Sequence, residues 1–271
     1  MDKTFSADGT SIAYRRQGDG PPVILVGGAL STAATEAPLA ALLAPRFTVV
    51  TYDRRGRGAS GDGGPYAVRR EIEDLAAVAA RVGGRVSLFG MLSGGALALE
   101  AHAAGLPVDL LAVYEPPYTP GPAGLLYKSR CTALLHRLLS EGDRGGAVAL
   151  YLSRTGVPEA TIARMRHALL WADLEALAHT LAYDDELLGD GEIPDRFAAV
   201  TARTLVVTGG FSTPQAHGTT QALAAALPRG RHRTLTGQTR ELAPQAIAPV
   251  LAEFFAREVF AERAATGTPS T

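Results

Sequence analysis

The stretch "SLFGMLSGGALALEAH", Ser87 to His102, has the make-up of a strand that turns abruptly into a helix. Such a turn needs small residues two before and two after its apex, because the backbone doubles back there and holds the apical side chain out beyond the strand. Gly90 and Gly94 bracket position 92, and that position is Leu92. A hydroxyl or thiol at the apex would attack a carbonyl. An aliphatic chain cannot, so covalent acyl transfer is closed at that place. Moving the apex to Ser93 would put Met91 where there is room for almost no side chain. Ser93 therefore reads as a first-turn helix residue whose hydroxyl meets free N–H groups, or as the nucleophile of a displaced arrangement.

Other chemistry-bearing residues narrow the field. Cys131 is the single cysteine, which excludes an internal disulfide framework and fits a reducing compartment; no histidine at a recognisable spacing would activate it. No cluster of His, Cys and carboxylates has metal-ligand spacing, and the glycine-rich pieces match neither a dinucleotide nor a P-loop fingerprint, so no cofactor is expected. With 26 basic against 27 acidic residues the net charge is -1, which argues against nucleic acid or an anionic membrane surface as partner and for a small molecule. No apolar run reaches the ~20 residues that cross a bilayer, and the N-terminus lacks a signal-peptide core, so a soluble cytoplasmic protein is expected.

The elements that must position these residues follow from hydrophobic period. "KTFSA" and "SIAYRR" flank "DGT" as a hairpin. "PVILVGG", "FTVVTYD", "VSLFG", "DLLAVYEPP" and "ARTLVVTGG" are compact, largely β-branched runs of the kind buried on both faces of a parallel sheet, and "RHRTLTG" is a further strand. Helical patterns separate them: "APLAALLAP", "YAVRREIEDLAAVAARVG", Ser93 to about Ala104, "TTQALAAALP" and "APQAIAPVLAEFFAREVF". That alternation predicts an α/β fold, a mostly parallel central sheet with helices on both faces. From about Tyr118 to Val200 the rhythm breaks into continuous helical pattern, which predicts an inserted helical cap over the strand ends. Residues 1–117 and 201–271 are then two parts of one α/β core, and 118–200 the cap. The final "AATGTPST" is expected to be a frayed tail.

Over essentially its whole length the chain resembles the α/β-hydrolase superfamily, in particular small actinobacterial-type members. The likeness rests on the N-terminal hairpin, "LVGGAL" after the third strand, "YDRRGRGASG" after the fourth, the turn at "LFGMLSGGALALE", "YEPP" and the helical insertion. What the resemblance implies at the site is a Ser-His-acid triad, and this chain departs from it. The histidine position falls in "TGQTRELAP" on Arg240, which stays protonated at any working pH and cannot act as a base, although it can hold an anion, an enolate or a carbonyl. A salt bridge to Glu241 or to a cap carboxylate is its bland alternative. The acid position falls near Ser212, where there is no carboxylate; Glu115 in "VYEPP", at a strand's carboxyl end, is the compatible substitute, or else a partner for Arg240 or a helix cap. Backbone donors from Gly28 or Ala29 and from Ser93 would still stabilise an oxyanion.

Leu92 and Met91 are the expected floor of the binding site, with Tyr118, Trp171 and His217 as further substrate contacts. Tyr127 and Tyr183 are cap aromatics of the same kind, more often packing than ligand platforms. His102, His136, His167 and His179 lie in helical patterns and His232 in a strand, which favours structural roles. Three functions fit: a non-hydrolytic enzyme that cyclises, forms C–C bonds, isomerises or eliminates on a carbonyl-containing, polyketide-like molecule; a hydrolase using Ser93 or a water activated by Glu115; or a non-catalytic binding protein.

Overall fold

The computed structural model describes residues 1–266, and side chains up to 256. Among the described residues eight strands form one sheet in the order β1-β2-β4-β3-β5-β6-β7-β8. These are β1 (Asp2–Phe5), β2 (Ser11–Gln17), β3 (Pro22–Val26), β4 (Thr48–Tyr52), β5 (Val86–Met91), β6 (Val108–Tyr114), β7 (Arg203–Gly209) and β8 (Gly230–Leu235). β2 pairs antiparallel with β1 and β4, and β4, β3, β5, β6, β7 and β8 pair in parallel. Alternate residues of each strand feed opposite faces: Val23 and Leu25 enter the core under α1 (Ala33–Leu43) and α10 (Pro244–Thr266), while Ile24 and Val26 enter the core under α2 (Val68–Ala80), α3 (Ser93–Ala103) and α9 (Pro214–Ala226). The expected α/β architecture, a mostly parallel sheet covered on both faces, is the one observed. The tail from residue 267 lies outside the described residues, and α10 runs further than the sequence suggests, to Thr266.

Strand order locates the place for a ligand. From β3 the chain moves to β4 on one side, and β5 lies on the other, so the connections leaving β3 and β5 diverge. The crevice between their carboxyl ends is where open α/β sheets bind ligands. It contains Gly27 and Gly28 after β3 and Leu92 after β5.

Between β6 and β7 lie α4 (Pro122–Ser140), α5 (Arg144–Arg154), α6 (Glu159–Met165), α7 (Leu170–Leu177) and α8 (Thr180–Leu187). They share a small core of Leu135, Val148, Ile162, Trp171 and Leu181, and Ala29 and Leu30 of the loop after β3 pack against it, which puts this layer over the strand ends. The continuous helical pattern from Pro158 to Leu188 is divided into three helices. At the last break the hydroxyl of Thr180 takes the Leu177 carbonyl at 2.7 Å, an acceptor that would otherwise continue the helix.

Candidate active site

The apex is where the glycine spacing puts it. Leu92 has φ 52° and ψ −119°, a left-handed conformation that a leucine adopts only under constraint. The constraint comes from its neighbours. A Cβ on Gly94 would stand 2.2 Å from the Val26 carbonyl oxygen, and one on Gly90 2.5 Å from the Gly94 carbonyl oxygen, so α3 approaches the sheet as closely as backbone permits. The Leu92 N–H donates to the Tyr114 carbonyl at 2.8 Å and its carbonyl accepts from Gly95 N–H at 3.0 Å. Its half-buried side chain lies against Gly28, and the half-buried Met91 side chain packs into the core beneath α10.

Two backbone donors flank this apolar apex. Among the described residues no acceptor takes the N–H of Ala29 or of Ser93. The Gly28 carbonyl, by contrast, is engaged, accepting from the Ser31 hydroxyl at 2.8 Å and from the Arg57 guanidinium.

Ser93 does not face the apex. It is 2% exposed, its hydroxyl accepts from Arg54 Nη1 at 3.5 Å, and it helps to hold the Asp184 carboxyl below its ordinary value. No imidazole reaches it among the described residues. His102 is held by the Leu106 carbonyl and Ala202 N–H, His232 by Thr208 and Thr220, and His179 faces Asp62.

Glu115 stands at the end of β6 with φ 44° and is 3% exposed. Its Oε1 accepts from Gly209 N–H at 2.8 Å and from the Ser212 hydroxyl at 2.5 Å, and its Oε2 is buried with no partner. The carboxylate therefore bridges to the loop after β7, at the very place where the sequence lacks an acid, but it neither pairs Arg240 nor caps a helix.

Arg240 lies in the loop after β8. That loop is pinned by the Tyr114 hydroxyl on the Thr239 carbonyl at 2.5 Å and by Phe211 N–H on the Gln238 carbonyl at 2.8 Å. The guanidinium is half-buried, its Nε is sealed without a partner, and no carboxylate of the described residues comes within ion-pair distance, Glu241 included. It meets the phenol of Tyr151 on α5; burial pushes that phenol's pKa up and the neighbouring guanidinium draws it part of the way back. A permanent cation without a counter-ion in a half-buried setting favours an anionic oxygen on a ligand.

Of the other expected contacts, Trp171 and Tyr118 are taken up in packing. Trp171 is inside the cap's own core, its indole N–H donating to Glu175 at 2.7 Å and its ring under the Arg166 guanidinium at 5.0 Å. Tyr118 is 2% exposed and packs edge-on to Phe197 in the core under α2, α3 and α9. His217 on α9 is close enough to His232 on β8 to disfavour its protonation, after burial. Two surface hollows, at Arg203, Arg231 and Phe254 and at Asp2, Arg16 and Thr51, also lie away from the apex.

The sequence reading gave no role to the arginines of "YDRRGRG". All three are fully buried: Arg54, Arg55 and Arg57 are 2%, 1% and 1% exposed. Arg54 makes a two-pronged contact with Glu71 at 2.6 and 2.8 Å, reaches Asp184 of α8 at 2.8 Å and donates to the Gly27 carbonyl at 3.2 Å. Arg57 takes the other oxygen of Asp184 at 2.8 Å as well as the Gly28 carbonyl. Arg55 is matched to Asp74 and Asp8. A signal was available: Glu71 and Asp74 are three apart on α2 and share one face.

Glu36, in the first turn of α1, converges with Ser31 on Gly27, whose added Cβ would lie 3.3 Å from the carboxyl Oε1. Burial pushes its pKa from the ordinary 4.5 to about 7. The folded chain thus binds this proton more tightly than the unfolded chain, so the stability present below 4.5 is lost as pH rises through 7. Glu36→Gln is expected to abolish a pH-dependent loss of roughly 2–3 kcal/mol. Urea unfolding in mild acid and in mild base reads it, and equal slopes in both proteins would contradict it.

Comparison with known proteins agrees with this fold. The family profile described as "Alpha/beta hydrolase family" matches residues 16–263. An α/β hydrolase from Sphaerobacter thermophilus is 51% identical, with 94% of this chain and 100% of that one covered and a TM-score of 0.84. A thermophilic esterase from Thermogutta terrifontis, 22% identical over 94% of this chain and 98% of its own, has a TM-score of 0.72. The enol-lactonase from Burkholderia xenovorans, 20% identical over 94% and 100%, has a TM-score of 0.67. At these last identities the likeness is one of fold.

Proposed function

Because the chain belongs to the α/β-hydrolase family yet carries a leucine at the strand-to-helix apex, we propose that it is a non-hydrolytic enzyme of that family, acting on a small carbonyl-containing, polyketide-like molecule. The observation that carries this reading is the pairing of an inert side chain at φ 52° with an arginine that has no carboxylate partner among the described residues. The Ala29 and Ser93 N–H groups and Arg240 polarise a carbonyl above an apolar floor, and stabilise the oxyanion that develops when another group of the same molecule attacks it. Ring closure or C–C bond formation then needs only that the ligand be folded with its reacting groups in contact. In an intramolecular carbon addition the C–H proton ends on the new hydroxyl, so substrate and product are isomers and no atom of water enters. Glu115 lies beneath the surface and acts on the loop after β7 rather than on the ligand.

The second reading, a hydrolase with displaced residues, is favoured by the 51% identical relative, which is described as an α/β hydrolase. Against it stands the Ser93 hydroxyl, which is buried and lies 3.5 Å from the Arg54 guanidinium with no imidazole in reach among the described residues.

The test is mass spectrometry of the small molecule that copurifies with the protein, incubated in water enriched in ¹⁸O. The expected product has the elemental composition of the substrate and no ¹⁸O. Products that together gain one water and carry its ¹⁸O, beyond the carbonyl exchange seen without protein, make the protein a hydrolase, and return of the molecule unchanged makes it a binding protein. Hydrolysis of 4-nitrophenyl acetate that vanishes in Ser93→Ala and survives in Arg240→Ala would also overturn the reading.

A further inference from the structure

We propose that Asp184 of the cap, acting through Arg57, is the positioning residue that aims the Ala29 N–H at the ligand, so that the oxyanion donors are complete only when α8 is seated on the core. This rests on the reading of Ala29 as an oxyanion donor.

The argument is one of peptide geometry. In a planar trans peptide the C=O of one residue and the N–H of the next point in opposite directions, so fixing one fixes the other. The Gly28 carbonyl is held from one side by Arg57 Nη1, by the Ser31 hydroxyl at 2.8 Å and by Ser31 N–H at 3.4 Å. The Ala29 N–H, on the other end of that peptide, is thereby turned away from these groups and has no acceptor among the described residues. The preceding carbonyl, Gly27, is held in the same manner by Arg54 Nη1 at 3.2 Å. Two consecutive carbonyls of the loop are thus gripped by two buried guanidinium groups of "RRGRG", those of Arg54 and Arg57. The grip is needed: Leu30, next in the chain, has φ 56°, a conformation that a free loop would leave.

Asp184 holds both guanidinium groups. Its two oxygens are divided, Oδ1 to Arg54 and Oδ2 to Arg57, each at 2.8 Å. Burial opposes its ionisation, yet Arg57 and Arg54 bring its carboxyl below the ordinary carboxylate value. Arg54 has a second anchor in Glu71, so it stays in place without the cap. Arg57 has no other carboxylate within ion-pair distance among the described residues, and its Nε is buried without a partner. Lifting α8 therefore releases Arg57 first, and with it one of the three donors on the Gly28 carbonyl. The charge pair is the link between a helical layer and a single backbone amide.

The experiment reads that amide directly, without turnover. Labelling with ¹³C-carbonyl glycine and ¹⁵N-alanine selects the Gly-Ala peptides of the chain, Gly28–Ala29, Gly58–Ala59, Gly95–Ala96 and Gly146–Ala147, so Ala96 and Ala147 serve as internal references. In Asp184→Asn the Ala29 resonance is expected to shift and broaden as the peptide samples a second orientation, while Ala96 and Ala147 keep their wild-type positions. Asp184→Glu, which retains the charge, is expected to bring Ala29 back towards wild type. Lys128→Met is the control for a merely structural effect, because it breaks the buried pair to Asp185 at 2.8 Å without touching the loop. Should Asp184→Asn fail to fold, Arg57→Lys serves, since one ammonium cannot reproduce the fork to Gly28 and Asp184 while Arg54, Asp184 and Glu71 remain matched. An unmoved Ala29 in whichever of these variants folds, or an equal change in Lys128→Met, overturns the proposal. Hydrolysis through Ser93 would sink the proposed function and leave this readout as it is, so the two failures are separable.

Discussion

Replacing Arg54 by leucine is expected to lower the free energy of unfolding by about 3–5 kcal/mol, the effect of stranding buried carboxylates by removing their partner. Glu71 is 2% exposed and would keep only the Tyr66 hydroxyl at 3.0 Å, and Asp184 would keep Arg57. The sign with pH follows. In the wild type the depressed carboxyl of Asp184 contributes stability above the unfolded carboxylate value, lost as pH falls through the folded one. In the variant Asp184 loses one of the two guanidinium groups that hold its carboxyl down, so the deficit is present above the carboxylate range and shrinks as pH falls through it. Urea unfolding followed by circular dichroism measures it, and adding Glu71→Gln should recover part of the loss. For contrast Arg69→Leu, which breaks a pair with Glu73 in which the arginine is 71% exposed, is expected to cost under about 1 kcal/mol. Similar losses from the two arginines would show that burial does not decide the matter.

Arg240→Gln is expected to slow conversion of the copurifying molecule by about 10²–10³-fold, the range for removing one oxyanion donor. The thermal midpoint should hold or rise, since a half-buried guanidinium without a carboxylate partner among the described residues is a desolvation burden. Arg240→Lys should not restore the rate, because an ammonium lacks the planar fork. Conversion followed by mass spectrometry at fixed protein concentration checks both. An unchanged rate would remove Arg240 from the chemistry.

What could be read from the sequence was what local sterics decide. Gly90 and Gly94 place the apex at Leu92 because any Cβ there meets backbone oxygen within a few residues or on the next strand. Period and β-branching gave the strands and the helical insertion for the same reason. The charged groups behaved differently. Arg54 and Arg57 find Asp184 across 130 and 127 residues, and no spacing rule connects positions so far apart. Aromatic side chains misled in both directions. Trp171 turns into the cap core, while Tyr151 on α5, inside an apolar helical pattern where it passes for packing, is the one that meets Arg240. Glu115 was found at the expected strand end, but its partner came from the loop after β7, which folding alone brings near.

The close approach of α3 to the sheet has one more consequence. Since flanking glycines rather than residue 92 itself set the bend, the backbone there is a socket whose shape does not depend on what is plugged into it. Exchange of that single side chain for cysteine, aspartate or lysine would offer a different reactive head from the same mount, which makes the position a natural starting point for directed evolution of new reactions.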